Sequence, residues 1–579
     1  MTQGELKKRI DIAAGRTAAD FVIKNCKIVN VYTHEIEEGD IAFSDGKIAG
    51  IGTYDGKETM DGAGKYAIPG LIDGHIHIES SYVTPEEIGR LLAPHGTTTI
   101  IADPHEIVNV CGLDGMDYML KAAENTVLDI KYVLPSCVPA TPFEHSGANI
   151  SADMMKDVIT NDKIIGLGEF MDFPGVVAGK EEVIDKLLES INHGKLIDGH
   201  SPGLTGKELN AYISAEIRND HECATVADMK ERIARGMYVL LREGSCCKDL
   251  RTLLKGVTTE NARRCVLCSD DRQPRTIFLE GHMENHLRIC VEEGIDPITA
   301  IQMATINTAE CFHLFDRGAI APGLRGDVVL VEDLVYFKAD TVFIEGKKVV
   351  QDGTYLPPCE KIDYSHMKGG FHVKDFSKEK LNLNSKSNRV NVITIMDDGV
   401  VTKKEQATVK LTDNGDFIFE SQNDIAKIAV VERHKGTGNV AVALLKGYGI
   451  KEGAIALSIA HDSHNIIIVG VNDDDMEMAV QKLIKQGGGM IQVKNKEIIA
   501  SLPMPIAGLM SNQSGEWVDE QLEKFHESAH GILKISEKVE PVMTLCFMSL
   551  AVIPEIKLTD MGLFDVSKFD FISIEASPI

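Results

Sequence analysis

Positive charge is scarce in this chain. Its 579 residues carry 60 lysines and arginines against 87 aspartates and glutamates, a formal net charge of −27. Non-specific nucleic-acid binding needs basic patches, and anionic membrane surfaces attract basic segments, so the composition argues against both partners. No apolar run is long enough to span a bilayer. The segment Met1 to Asp11 is polar and lacks the apolar core of a signal peptide. The twelve cysteines are scattered and form no small disulfide-rich module, which makes a reduced, cytoplasmic protein the simplest reading. What remains is 44% hydrophobic and 25% charged, ordinary for a globular protein, at a length that suggests several domains.

Residues 20 to 65 read as short strands and turns, with a D-G hairpin signal at Asp45-Gly46. A similar pattern returns at Gly326–Val331 and Thr341–Val350. Between these flanks, strand and helix patterns alternate. The strand candidates are 66–74, 97–102, 129–134, 163–168, 195–199, 211–217, 237–242 and 264–269. Eight strands in βα alternation over about 250 residues fit a (β/α)8 TIM barrel, whose active site sits at the C-terminal ends of the strands. An open doubly wound sheet would alternate similarly, but no Gly-x-Gly-x-x-Gly follows the first strand. Pro357-Pro358 and the polar run 377–388 mark a connector. A further unit begins at Val390, with a buried-strand pattern at 465–470. An apolar helix face follows it on Met476, Ala479, Val480, Leu483 and Ile484. Cys265 and Cys268 form a C-x-x-C inside a strand pattern, so they face opposite ways and suit burial better than chelation.

The chemistry concentrates at strand ends. Pro69-Gly70-Leu71-Ile72-Asp73-Gly74-His75-Ile76-His77 is an apolar strand ending in two histidines spaced i, i+2, which share one face and converge on a point where a divalent metal fits. Imidazole suits Zn, Fe, Mn or Ni, so the pair does not choose the metal. Asp103-Pro104-His105-Glu106, Gly168-Glu169, Asp198-Gly199-His200-Ser201, Asn219-Asp220-His221-Glu222 and Ser269-Asp270-Asp271 follow later strands. Singly each is weak, because loop histidines are mostly solvated. Jointly they put a histidine or an acid at one end of most of the strands.

The strand-1 string and this order resemble the amidohydrolase superfamily. The resemblance implies the barrel with a composite small β-domain built from both flanks, and a binuclear centre. His75, His77 and Asp270 would hold one metal, His200 and His221 the other, and Glu169 would bridge them where many members use a carboxylated lysine. His105 and Glu106 are left as metal or substrate contacts. Two divalent ions sharing a water lower its pKa and create hydroxide, and Asp270 can then carry the proton to the leaving group. The reaction class is hydrolysis at an sp² carbon bearing nitrogen.

Strings in the last unit narrow the family. Val431-Glu432-Arg433-His434, Glu452–Ala456, His461-Asp462-Ser463-His464-Asn465, Leu502–Met510 and Val552–Asp560 resemble the adenine deaminase family, as do 101–106, 220–222 and 303–309 in the barrel. This resemblance runs from about residue 20 to about residue 570. It implies conversion of adenine to hypoxanthine and ammonia by attack of a metal-bound hydroxide on C6, in purine salvage or catabolism, with Glu169 and Asp270 as the catalytic carboxylates. It further implies two divalent ions, Mn or Fe foremost with Zn possible. The division of the chain is 1–65 plus 316–360 for the β-domain, 66–315 for the barrel, 361–389 for the connector and 390–579 for a C-terminal α/β domain. His434, His461 and His464 are candidate contributions from that last unit; the string 461–464 reads either as a second metal site or as a polar turn making domain contacts. Arg218, Ser201 and Glu280 are further unranked candidates for purine recognition. A homo-oligomer, with a dimer as the commonest assembly, is expected.

Three rivals stand against this reading. Another binuclear amidohydrolase acting on a cyclic amide is the nearest. A non-catalytic scaffold on the same fold would have lost ligand positions, and here all are filled. A deaminase of the other zinc type pairs His-x-Glu with Pro-Cys-x-x-Cys; His77-Ile78-Glu79 matches the first half, and the second occurs nowhere.

Overall fold

The computed structural model of the protein describes residues 2–396 and 400–576. Residue 1, and residues 397–399 and 577–579 within the unit drawn at 390–579, lie outside the described residues. At the centre, eight strands curl into a parallel barrel: β1 Leu71–Ile76, β2 Thr97–Ala102, β3 Asp129–Leu134, β4 Ile164–Phe170, β5 Leu196–Gly199, β6 Asn219–Asp220, β7 Tyr238–Arg242 and β8 Cys265–Cys268. The backbone ladders form two arcs, β5-β4-β3-β2-β1 and β6-β7-β8. Hydrogen bonds beyond the ladders join them. Asp270 N–H donates to the His75 carbonyl at 2.8 Å and His77 N–H to the Asp270 carbonyl at 3.1 Å, which closes β8 onto β1. On the other side Gly199 N–H donates to Asn219 Oδ1 at 2.8 Å. A Cβ on Gly199 would stand 2.0 Å from the Asn219 carbonyl oxygen, so this close approach requires glycine.

Ile72, Ile101, Val133, Leu240, Val266 and Cys268 fill the barrel interior as one cluster. Cys265 and Leu267 join a different cluster on the outer face. Alternation along β8 therefore separates the two cysteines, and both are free thiols.

Two expectations about strands need correction. The apolar run 66–74 is not one strand. Tyr66–Pro69 pairs antiparallel with Val328–Val331 in the flanking sheet, and the barrel strand starts at Leu71. Gly70 lies at the break, where a Cβ would meet the Thr98 hydroxyl at 2.2 Å. The segment 211–217 is not a strand either. Gly206–Ser214 is a helix that buries Leu209, Tyr212 and Ile213 at i, i+3, i+4, and the strand is the two-residue Asn219–Asp220.

The flanks build one nine-stranded sheet in which Val328–Val331 from the second flank sits beside Tyr66–Pro69 from the first. Asp45 and Gly46 both have positive φ (49° and 76°), as the tight hairpin turn between Glu35–Ser44 and Lys47–Gly52 demands. The last unit has its own eight-stranded sheet, with Ile425–Val431 and Ile466–Gly470 at its centre. The helix Asp473–Gln486 packs on that sheet through Met476, Ala479, Val480 and Leu483, and the Asn472 side chain caps its start by accepting from Asp475 N–H. One apolar core runs unbroken from the barrel (Tyr82, Ile107, Val108) into this unit (Ile506, Met510, Met548), which seats it on the barrel mouth.

Ile101→Ala would leave a cavity in the closed barrel interior. Such truncations cost about 2–5 kcal/mol, so the melting temperature should fall by several degrees in calorimetry; an unchanged temperature would contradict the packed interior.

Candidate functional site

The strand ends converge as their spacing predicts. His75 and His77 leave β1 on one face, with their Nε2 atoms 3.1 Å apart. Each ring is fixed from behind. His75 Nδ1 lies 2.9 Å from Asp198 Oδ2, and His77 Nδ1 donates to the Asp103 carbonyl at 3.0 Å. A carbonyl only accepts, and an ionised carboxylate only accepts, so each Nδ1 carries a proton and, in the neutral rings, both Nε2 atoms turn lone pairs inward. Two lone pairs at that distance do not bond to each other; a cation between them fits the donor set.

The acids close round the pair. Asp270 Oδ1 lies 3.1 Å from His77 Nε2 and 3.9 Å from His75 Nε2. Glu169 presents Oε1 at 3.4 Å to His77, while its Oε2 receives His200 Nδ1 at 2.7 Å and His221 Nε2 at 3.2 Å. One carboxylate thus faces two groups of imidazoles with different oxygens. Sets of three among His75, His77, Glu169, His221 and Asp270 bring ligand atoms within 4.8 Å of one another, and so do His77, His105 and Glu169, and His200, His221 and Glu222. All are buried or nearly so. Burial pushes Glu169 up, but the histidines around it, His200 foremost, hold its carboxyl well below the usual range. Asp270 is likewise pushed up by burial and held well below its ordinary value by His77 and Arg242. Burial pulls His221 down, and Glu169 outweighs it to push the ring up to about 10. The site is a pocket of fixed negative charge balanced by imidazoles, suited to divalent cations.

Several supporting groups were not selected in the sequence. Asp198 and the Asp103 carbonyl orient the first two histidines. Asp103 Oδ2 also accepts from Glu169 N–H at 2.9 Å, tying the end of β2 to β4. Arg242, at the end of β7, donates to Asp270 Oδ2 at 2.8 Å and pairs with Glu222, leaving Oδ1 as the oxygen that faces the histidines. Asp73, fully buried in β1, accepts from Ser269 N–H at 3.0 Å and lies 3.1 Å from His282 Nε2. Asp220, next to His221, forms a buried pair with Arg232 at 2.6 Å. For Asp73, Asp103, Asp198 and Asp220 the signal was a carboxylate within two residues of a candidate histidine; Arg242 had none.

The other candidates divide. His105 Nδ1 lies 3.1 Å from Glu169 Oε1 and its Nε2 3.3 Å from Glu106 Oε1, and neither nitrogen has a directed hydrogen bond. Glu106 accepts from His461 Nδ1 at 2.7 Å and pairs with His464 Nε2. His434 Nε2 donates to the Ser463 carbonyl at 2.6 Å and supports the 461–465 turn from outside the pocket. Arg218 pairs with Glu216 and Glu280 with Lys248, both at exposed positions, and the Ser201 hydroxyl is spent on Asp220. These last three are not brought to the pocket. His77, His105, Glu106, Glu169, His200, His221, Glu222, Arg242 and Asp270 line one cavity of about 560 Å3, roofed by Val401, Phe547, Leu550 and Ile553 from the C-terminal unit. That size is ordinary for a small-molecule site.

Comparison with known proteins gives the family. Residues 66–350 match the amidohydrolase family and residues 399–570 match the adenine deaminase C-terminal domain. "Adenine deaminase 2" of Desulfotalea psychrophila is 62% identical over 100% of both chains. "Adenine deaminase" of Ligilactobacillus salivarius is 52% identical over 99% of this chain and 100% of its own. "Adenine deaminase 2" of Latilactobacillus sakei is 47% identical over 100% of both. The chain belongs to the adenine deaminase family. The amidohydrolase match spans all eight barrel strands, and the C-terminal match covers the part that roofs the cavity. No helix among the described residues is long and apolar enough to cross a membrane.

Groups that orient metal-binding histidines typically carry a 10–100-fold effect on affinity. Asp198→Ala should therefore weaken Mn2+ binding by about that factor, read by titration against a chelator; unchanged affinity would remove Asp198 from the site.

Proposed function

We propose that this adenine deaminase family member hydrolyses adenine to hypoxanthine and ammonia, in purine salvage or catabolism. The observation that carries the reading is the inward pair of His75 and His77 Nε2 atoms 3.1 Å apart, facing Asp270 and Glu169 at the barrel mouth. Full-length similarity to proteins named adenine deaminase supplies the substrate. We assign two divalent ions, Mn or Fe first and Zn next. His75, His77 and Asp270 would hold one, His200 and His221 the other, and Glu169 would face both. Bound there, divalent cations bring the pKa of a shared water towards neutrality and polarise the ring carbon.

The protein's own groups do the rest. Arg242 fixes Asp270 through Oδ2, so Oδ1 is the oxygen that takes the proton from the attacking water and delivers it to the departing amino group. Glu169, kept ionised by its histidines, holds His200 and His221 in register. The apolar roof keeps bulk water from the ring. We propose residues 66–315 as the catalytic unit, 1–65 with 316–360 as its β-domain, 361–389 as a connector and 390–579 as the unit that closes the pocket. A cytoplasmic homodimer is the expected form.

Enzyme loaded with Mn2+ should release ammonia from adenine and leave cytosine and hydantoin untouched, with about two metals per chain. Two bound metals without adenine turnover would retain a metallohydrolase and reject this substrate. Asp270→Asn should lower kcat by roughly 10²–10⁴-fold as its proton-transfer role is lost; near-normal kcat would assign the proton elsewhere.

A further inference from the structure

We propose that His461 of the C-terminal unit contacts the purine directly through Nε2, with Glu106 of the barrel as its positioning residue; this rests on the adenine deaminase reading above. His461 is buried and lines the cavity that also contains His105, Glu169 and Asp270. Its Nδ1 donates to Glu106 Oε1 at 2.7 Å, across 355 positions of sequence. A carboxylate accepts only, so the Nδ1 proton is committed and Nε2 is the nitrogen left for a ligand: an acceptor in the neutral ring, a donor when both nitrogens are protonated. Nε2 has no hydrogen-bond partner among the described residues, whereas His464, three residues on, has both of its nitrogens occupied.

The residue is also held through its backbone and one face of its ring. His461 N–H donates to the Cys546 carbonyl at 3.1 Å, and the Ser549 hydroxyl donates to the His461 carbonyl at 3.1 Å. Phe547 stacks on the ring with centroids 4.6 Å apart and planes at 21°. A histidine clamped by backbone, carboxylate and aromatic face, with one nitrogen turned to a cavity, is preorganised to meet a heteroaromatic edge.

The same residues invite a different assignment, because Glu106, His461 and His464 lie close enough together to hold an ion. The tautomer of His464 argues against it. Ala460 N–H donates to His464 Nδ1 at 3.2 Å, so that ring's proton lies on Nε2, where it bonds Glu106. The nitrogen facing the group is a donor, and the trio is a hydrogen-bonded brace that aims His461.

Two isosteres separate contact from bracing. An asparagine amide reaches the Nδ1 position and a glutamine amide the Nε2 position. H461N keeps the Glu106 bond and loses the group facing the substrate; H461Q keeps a polar group in the cavity. For the metal-loaded full chain, H461N should lower kcat/KM for adenine by roughly 10²-fold and weaken hypoxanthine binding in calorimetry, with two metals and the melting temperature retained. H461Q should recover a large part of the loss. H461N with wild-type kcat/KM overturns the contact. So does activity that falls only in step with metal content or melting temperature, which assigns His461 to domain bracing. Wild-type enzyme that leaves adenine unchanged overturns the deaminase reading, and this inference with it.

Discussion

Two acceptors behind the barrel mouth decide what this protein can do. The Asp198 carboxylate and the Asp103 carbonyl take the Nδ1 protons of His75 and His77, and that choice turns both Nε2 lone pairs onto one point. With the opposite tautomers the same two rings would present N–H groups and repel a cation. The barrel depends on the same place. Asp270 donates its backbone N–H to His75 and accepts from His77 N–H, the bonds that close β8 onto β1, so the residue that completes the ring of strands also brings its carboxylate to the histidines. Barrel closure and the site therefore share that residue.

The arrangement is expensive in isolation. Burying a carboxylate or an imidazolium costs several kcal/mol per ion, repaid only by well-made partners. Here several of the buried charges have one. Arg232 holds Asp220, Arg242 holds Asp270 and Glu222, and Glu169 is surrounded by imidazoles. Those partners come from the ends of several strands and, for Arg232, from the helix Val226–Ala234, so removing one loosens the geometry of several. The C-terminal unit adds the remaining enclosure: its apolar core continues that of the barrel, and its 546–554 segment faces the polar floor.

The convergence of the strand-end histidines and acids was legible in the sequence because strand periodicity is rigid. Histidines at i and i+2 must share a face, and residues at strand ends must gather at the barrel mouth. Supporting groups were harder to see for a physical reason. The Asp103 carbonyl acts through backbone, which carries no residue signature. Arg242 and Asp198 act through partners 28 and 123 positions away. The strand errors share a cause. An apolar run such as 66–74 serves two sheets, and only the tight packing at Gly70 divides it. The apolar residues at 209–213 suit a helix face, while β6 is two polar residues whose place is fixed by Gly199 and by β7. His461 could be named but not placed, since only the docking of the last unit brings it to Glu106.

Anomalous diffraction from crystals of the Mn2+-loaded protein tests the central claim most directly. The account predicts two peaks, one contacted by His75 Nε2, His77 Nε2 and Asp270, the other by His200 and His221, with Glu169 reaching both. A single peak, or density at Glu106, His461 and His464 in place of the inward pair, would contradict it.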